Sequence, residues 1–183
     1  MAVMEKKRGR PKVGDNQLSA EAIISMAKSL MKQQGQIPSI RKLAAHLNVD
    51  AMAIYYYFNN KNQLLEAITT SLITDIYQPQ GSDNWKAELS LLSTSYLTLL
   101  STYSGLLQTL LSMNSASPAG VFIERFKIVI QPLNLDETAA KNALDLLVDY
   151  LHGYALALNC NNGDNHLAIE MLKGPLALYC TAL

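Results

Sequence analysis

The residues best suited to chemistry in this sequence are cations near its start, and the chemistry they suit is the binding of a polyanion. Five Lys or Arg residues lie between Lys6 and Lys12. Within this run, Arg8-Gly9-Arg10 places a glycine between two guanidinium groups, a combination that lets the backbone enter a narrow, strongly negative minor groove of DNA. The pattern predicts a DNA-binding arm, and the alternative is a solvated basic tail or a cloning remnant.

The charge of the sequence is divided between its two ends. Residues 1–66 contain ten Lys or Arg and five acidic residues, which gives a net charge of +5. Residues 67–183 contain the reverse counts and carry a net charge of −5. A basic head on an acidic body indicates that only the head meets a polyanion.

Composition also bears on location and on reaction chemistry. Cys160 and Cys180 have no CxxC spacing and suit a reducing cytoplasm, and no apolar run approaches the roughly 18–20 residues that cross a bilayer. The sequence lacks a Gly-rich phosphate loop, an HExxH pair and a Ser/His/Asp arrangement, and His46, His152 and His166 are scattered. We therefore expect a cytoplasmic binding protein with no cofactor, metal, membrane partner or catalytic residue.

The basic head must be positioned by short helices. Ser19 can cap a first helix that ends at Gly35, Ser39 can cap a second, and Asp50 a third that runs to about Phe58. Two short helices joined by a tight turn, with another packed against them, form a helix-turn-helix unit, whose second short helix suits the major groove. An ordinary helical hairpin in a core is the alternative.

A helical wheel divides the third helix into two faces. Ile54 and Phe58 lie on the inward face with Ala51, whereas Met52 and Tyr56 point away.

Helical periodicity continues to the C terminus. Asn60 can cap a fourth helix, Asp136 a long helix to about Leu158, and Asp164 a last helix that is interrupted at Gly174-Pro175. The expected fold is all-α, with roughly nine helices. We divide the chain into a basic flexible arm (1–15), a helix-turn-helix DNA-binding domain (16–66) and a helical effector-binding and dimerisation domain (67–183).

Three stretches resemble the TetR/AcrR family of bacterial transcriptional regulators. They are Leu18–Gly35, Ser39–Phe58 and Asn60–Glu66, and a weaker likeness covers Leu147–Tyr154. The sequence departs from the family pattern at two positions. Asn48 replaces the usual turn glycine but tolerates a left-handed conformation, and Asp50, in place of the usual short polar residue, is still a competent cap.

The resemblance implies a set of DNA contacts. The positions concerned are Ser39, Ile40 and Arg41 at the start of the second helix, Ala51, Met52 and Tyr55 facing bases, and Tyr57 and Lys61 facing phosphates. The helical wheel favours Tyr56 over Tyr55, so both are retained. Because these side chains offer few bidentate hydrogen bonds, we expect readout through thymine methyl groups, DNA shape and phosphates.

The acidic body contains aromatic and sulphur-bearing side chains that suit either a plain core or a mostly apolar effector pocket. The resemblance implies such a pocket. The candidate lining residues are Trp85, Tyr96, Tyr103, Met113, Phe122, Phe126, His152 and Tyr154. Arg125 is interpreted as a surface helix charge, with contact to an anionic effector as the alternative.

The last two helices are strongly apolar, which predicts a homodimer built on a four-helix interface. The candidate interface residues are Leu144, Leu147, Leu151, Ala155, Leu158, Leu172, Leu176 and Tyr179. Two heads would then read a pseudo-palindromic operator in double-stranded DNA.

The predicted function is that of a DNA-binding regulator, a repressor by resemblance, whose operator affinity is changed by an unidentified small-molecule effector. The alternative is a helix-turn-helix regulator controlled by a protein partner or by cysteine redox state, without a small-molecule ligand.

Overall fold

A computed structural model describes residues 18–113, 115–160 and 167–183. Within these ranges the chain forms nine α-helices and two short 3-10 helices, and no strand. The predicted all-α class is therefore confirmed. The predicted arm contacts Arg8, Gly9 and Arg10 lie outside the described residues, as does the Asp164 cap.

The head is formed by four helices, and each begins with the side-chain cap predicted for it. Their bounds are α1 (Ala20–Gln34), α2 (Ile40–Leu47), α3 (Ala51–Tyr55) and α4 (Lys61–Thr74). The caps are Ser19, Ser39, Asp50 and Asn60, whose side-chain oxygens accept hydrogen bonds from backbone N–H groups in the first turn. The helix α3 ends at Tyr55 rather than near Phe58, because the chain turns there to bring Phe58 into the core.

The body contains the remaining five α-helices. Their bounds are α5 (Trp85–Thr102), α6 (Leu106–Ser112), α7 (Ser117–Ile130), α8 (Glu137–Asn159) and α9 (Lys173–Ala182), with 3-10 turns at Gln131–Leu133 and Ile169–Leu172. Gly174-Pro175 does not interrupt the last helix but lies in its first turn, where proline loses no intrahelical hydrogen bond. None of the helices in the described part of the chain is long and apolar enough to span a membrane.

Two buried ionisable side chains fix the segment where the head joins the body. The guanidinium of Arg125 in α7 donates hydrogen bonds to the backbone carbonyls of Ile76 (2.6 Å), Thr74 (2.9 Å) and Tyr77 (3.4 Å) at the end of α4. Cations stabilise this end of a helix, where carbonyl groups lack intrahelical partners. Arg125 is therefore not the surface charge expected from the sequence.

Glu88 holds the loop that follows α4. Its buried carboxylate accepts hydrogen bonds from the backbone N–H groups of Gln80, Gly81 and Ser82. Burial alone would raise the pKa of Glu88, but these hydrogen bonds outweigh it and the pKa lies below its usual value. The carboxylate therefore stays charged and ties the loop to α5.

A close approach of two backbones joins α1 to the turn before α6. A Cβ atom on Gly105 would lie 2.3 Å from the carbonyl oxygen of Gly35, which is too close for any other residue. Ser104 donates a hydrogen bond to the same carbonyl oxygen (3.4 Å). Gly105 is therefore needed for space, since its φ of −86° is open to any residue.

Candidate DNA interface and effector pocket

The turn between α2 and α3 has the geometry that the sequence predicts. Asn48 adopts a left-handed conformation (φ 54°), and its N–H reaches the end of α2. The Asp50 carboxylate then accepts a hydrogen bond from the backbone N–H of Met52 (2.7 Å) and opens α3. Asparagine therefore performs the turn that glycine would otherwise provide.

Apolar contacts hold α3 against the rest of the head and leave one face of it to solvent. Ile54 is fully buried and Phe58 nearly so, whereas Met52 and Tyr56 keep 72% and 86% of their surface exposed. Arg41 on α2 is also exposed. The wheel prediction for Ile54, Phe58, Met52 and Tyr56 is thus confirmed, and large side chains project from a rigid support.

The other predicted contact residues differ in how free they are. Tyr55 and Lys61 are exposed, whereas Ile40 and Ala51 are half-buried. The Ser39 hydroxyl is used as the α2 cap, accepting a hydrogen bond from Lys42 N–H (3.2 Å). All of these residues remain predicted DNA contacts.

Tyr57 has a second role that the sequence did not predict. Its hydroxyl donates a hydrogen bond to the backbone carbonyl of Leu18, just before α1. The hydroxyl donor of Tyr57 is therefore already used within the head. Tyr57 could donate a hydrogen bond to a phosphate only if its hydrogen bond to Leu18 broke. We interpret Tyr57 mainly as a tie between the recognition segment and α1.

The body contains an open cavity of about 390 Å³ between α4, α5, α6, α7 and α8. Its volume is within the range of sites that hold small organic ligands. Three of the eight predicted pocket residues line it: Tyr96, Phe122 and His152. Asp145 and Asp149 on α8 also line it. Neither was among the predicted pocket residues, although their four-residue spacing beside Leu144 and Val148 places them on one helix face.

The polar centre of the cavity is a tyrosine–histidine pair. The Tyr96 hydroxyl lies 2.9 Å from His152 Nε2. Burial lowers the pKa of His152, although Asp149 opposes this shift. Burial also raises the pKa of Tyr96 above its usual value. Both side chains are therefore neutral near pH 7 and can exchange hydrogen bonds with a ligand without adding charge.

The remaining predicted pocket residues lie elsewhere. Phe126 is buried in the core, Trp85 and Tyr103 pack against that core, and Tyr154 donates a hydrogen bond to the Ala168 carbonyl (2.7 Å). Met113 lines a smaller cavity next to Asn62 and Glu66. Facing inward is not enough to line a pocket, because most inward positions are filled by packing.

The cavity is directly connected to α4, the helix that leads out of the head. Ile73 of α4 contributes to its wall, and Ser115 lines both this cavity and the smaller one beside Glu66. Ser117 donates a hydrogen bond to the Glu66 carboxylate (2.5 Å). Hydrogen bonds from Ser117 and Ser115 lower the pKa of Glu66. A ligand in the cavity would therefore touch residues that hold α4.

Most of the predicted dimer residues are buried within the subunit. Leu147, Leu151, Ala155, Leu172 and Leu176 keep at most 5% of their surface. Leu144 lines the cavity, and the Tyr179 hydroxyl donates to the Ala143 carbonyl (2.7 Å). Side chains without exposed surface have none to offer a partner, so this set needs correction. The exposed apolar residues of α8 and α9 are instead Leu146, Tyr150, Leu156 and Leu178.

Residues 23–68 match the family model described as bacterial regulatory proteins, tetR family. This part of the chain is therefore similar to the N-terminal part of TetR-family regulators. The matched segment runs from α1 into α4 and contains every described residue predicted to contact DNA.

Individual known proteins are also similar to this chain. The tetracycline repressor protein class C of Escherichia coli is 32% identical over 92 residues, which are 48% of this chain and 42% of the repressor. A TetR variant from Acinetobacter baumannii AYE, solved in complex with minocycline, shares the fold with a TM-score of 0.74 and 20% identity, covering 91% of this chain and 96% of that one. BioQ, solved with its double-stranded DNA operator, has a TM-score of 0.69 and 17% identity over 91% of this chain and 98% of its own.

The similarity to known proteins is uneven along the chain. The chain spans about half the length of the curated relatives it matches. The solved structures, which cover nearly all of it, are too distant in sequence to show more than the fold.

Proposed function

We propose that this protein is a DNA-binding transcriptional regulator of the TetR family, a repressor whose operator affinity changes when a small molecule binds in the body. The observation that carries the proposal is the exposed face of α3. Met52 and Tyr56 project from a short helix that is pinned by Ile54 and Phe58, in the basic part of the chain. A methionine and a tyrosine that keep most of their surface exposed contribute little to the core, so a binding role explains them best.

The mode of DNA reading follows from these side chains. Met52 and Tyr56 can pack against thymine methyl groups and sugars but cannot make the bidentate hydrogen bonds that arginine makes to guanine. Arg41, exposed at the start of α2, supplies the one guanidinium among the described predicted contacts. Specificity would therefore come from apolar contacts and DNA shape, and much of the affinity from phosphate contacts.

The coupling between effector and DNA would pass through α4. The cavity wall includes Ile73, and the Ser117–Glu66 hydrogen bond joins the start of α7 to α4. Because α4 begins three residues after Phe58, a small displacement of α4 changes where the head presents α3. One structurally similar protein was solved in complex with minocycline and another with its double-stranded DNA operator, which supports the proposal that this chain binds a small molecule and DNA.

A homodimer would present two heads to a pseudo-palindromic operator. We place its interface on the apolar groove between α8 and α9, which is lined by Leu146, Tyr150 and Leu178 among others. These three side chains keep 61%, 39% and 73% of their surface exposed in the isolated chain. Contiguous apolar surface of this kind is costly in water and suits a symmetric partner.

The redox alternative has less support than the effector proposal. Burial raises the pKa of the Cys180 thiol, which lowers its reactivity, although Lys86 opposes the shift. Cys160 is exposed and Cys180 is buried. Control by a protein partner would not explain the cavity beside α4.

The proposal is tested by fluorescence anisotropy on DNA from the region upstream of the protein's own coding sequence, with a scrambled duplex as control. We expect preferential binding to the upstream DNA, with affinity falling steeply as salt rises. Tyr56→Ala should weaken specific binding by about 5- to 30-fold, because one apolar base contact is lost. The matched control is Leu91→Ala, since Leu91 is also an exposed apolar residue (51%) but lies on α5.

Two outcomes would contradict this proposal. The first is equal affinity for both duplexes at every salt concentration. The second is an equal loss of affinity in Tyr56→Ala and Leu91→Ala, which would show that α3 is not the reading element.

A further inference from the structure

The charges around the cavity indicate what kind of molecule it accepts. The lining residues contributed by α4, α5, α6 and α7 are all uncharged, and none of the described residues that line the cavity is a Lys or an Arg. The formal charges come from Asp145 and Asp149, both on α8 and both exposed at its surface. The cavity therefore combines apolar walls with a negatively charged side.

We propose that the effector is an apolar organic cation, such as a protonated amine attached to an aromatic ring system, whose positive group lies beside Asp145 and Asp149. This inference rests on the proposed function, in which the cavity is the effector site. It names the chemical class of ligand, which neither the family nor the fold determines.

The two carboxylates form an unbalanced pair on the helix. Asp145 and Asp149 are four residues apart, a spacing at which like charges repel each other across one turn. Lys141 pairs with Asp145, one turn before it. Within the described ranges, Asp149 has no ion-pair partner. A bound cation would supply the second positive charge that this face of α8 lacks.

The aromatic side chains favour the same class of ligand. The rings of Tyr96 and Phe122 lie 4.7 Å apart and both line the cavity. Aromatic ring faces attract ammonium groups and also pack against flat apolar ring systems. The hydroxyl and imidazole of the Tyr96–His152 pair can hydrogen-bond an N–H donor.

An anionic effector would find no counter-charge among the described residues that line this cavity. Arg125 was the candidate cation for such a ligand, but its guanidinium donates to three carbonyls at the end of α4 and is buried there. An anion would also face the negative potential of Asp145 and Asp149. Charge complementarity therefore selects cations over anions of similar shape.

The test uses two dyes that share a xanthene ring system and differ in charge. Tetramethylrhodamine methyl ester is a cation, and fluorescein methyl ester is an anion in mildly alkaline buffer. Each dye is titrated with the full-length protein in the absence of DNA, and binding is followed by anisotropy. We expect the cation to bind and the anion to bind at least about tenfold more weakly.

Two double variants of equal charge change identify the site. The first double variant combines Asp145→Asn with Asp149→Asn. It should weaken binding of the cation by about tenfold and reduce the difference in affinity between the cation and the anion. Asp83→Asn with Glu124→Gln alters exposed acids outside the cavity lining and should leave both affinities unchanged. Circular dichroism confirms that each variant is folded.

Three results would overturn the inference: no binding of the cation, equal or tighter binding of the anion, or unchanged cation binding in the Asp145/Asp149 double variant. The dye titrations contain no DNA, so they are independent of the regulator proposal. If the dye binds as expected but upstream DNA does not bind, the proposed function fails while the ligand class stands. If DNA binds but the cation does not, the ligand inference alone fails.

Discussion

The head and the body of this molecule differ in whether neighbouring residues determine where their helices begin. All four head helices begin with a cap formed by a side chain adjacent in sequence. In the body, α6, α7 and α9 begin without such a cap. Short-range signals therefore specify the head, whereas packing against distant segments specifies much of the body.

The two regions also differ in where their important polar and apolar groups lie. The head exposes the side chains proposed to act, including Met52 and Tyr56, and buries the apolar residues that support them. The body buries Glu88 and Arg125 and exposes apolar residues along α8 and α9. Head variants should thus change DNA binding with little effect on folding, whereas body variants should change stability, assembly and coupling together.

The largest effect is expected from a substitution in the exposed apolar groove of the body, which we propose as the dimer interface. Leu178→Glu places a charge in the groove between α8 and α9, and by symmetry it does so twice in a dimer. We expect dissociation to monomers, seen by sedimentation velocity, and at least about a hundredfold weaker operator binding, since two heads no longer bind as one unit. Leu91→Glu on α5 is the control and should stay dimeric. A dimeric Leu178→Glu variant would show that assembly uses another surface.

The next effect concerns the junction between head and body. Arg125→Met leaves the carbonyls of Thr74, Ile76 and Tyr77 without their buried donor and should lower the free energy of unfolding by about 2–4 kcal/mol in urea titrations. Lys127→Met, at an exposed position of the same helix, should change it by less than about 0.5 kcal/mol. Equal effects in the two variants would mean that the Arg125 hydrogen bonds contribute no net stability.

Sequence reasoning succeeded in the head for a physical reason. Caps, the Asn48 turn and the inward stripe of α3 depend on residues within a few positions of one another, so Ser19, Asp50 and Ile54 carry enough information by themselves. The predicted end of α3 was wrong, because the helix ends at Tyr55 and the chain then turns so that Phe58 reaches the core.

The body could be predicted only as a set of helices. The helix α8 is apolar on more than one side, and periodicity cannot tell which stripe packs inside the subunit: Leu147 and Leu151 are buried, whereas Leu146 and Tyr150 are exposed. The interior position of Arg125 depends on carbonyls about fifty residues earlier in the chain. Such long-range contacts leave no local pattern in the sequence.

A smaller effect tests the backbone contact between α1 and the turn before α6. Gly105→Ala would place a Cβ atom against the Gly35 carbonyl and should cost about 1–3 kcal/mol of stability as the segments separate. Gly120→Ala is the matched control, because a Cβ atom there meets nothing within 4 Å and α7 gains up to about 1 kcal/mol of helix propensity. Both are measured by thermal and urea unfolding. If Gly105→Ala instead stabilised the protein, the added Cβ atom would be accommodated without strain, and the close approach of the two backbones would not require glycine.

The smallest effect extends the comparison to pH, because burial shifts the pKa of His152, which lines the cavity of the body. Burial lowers the pKa of His152 in the folded chain below its usual value of 6.5. The unfolded chain then binds a proton more readily, so the contribution of this group to stability is complete above about pH 6.5 and is lost as the pH falls toward the folded-state pKa. In urea titrations across this range, His152→Gln should lose less stability on acidification than the unmodified protein. Tyr96→Phe should keep the dependence, because the buried imidazole remains. An identical pH profile for His152→Gln and the unmodified protein would show that the cavity histidine titrates alike in both states, and the buried polar pair would then have no part in the pH response of the body.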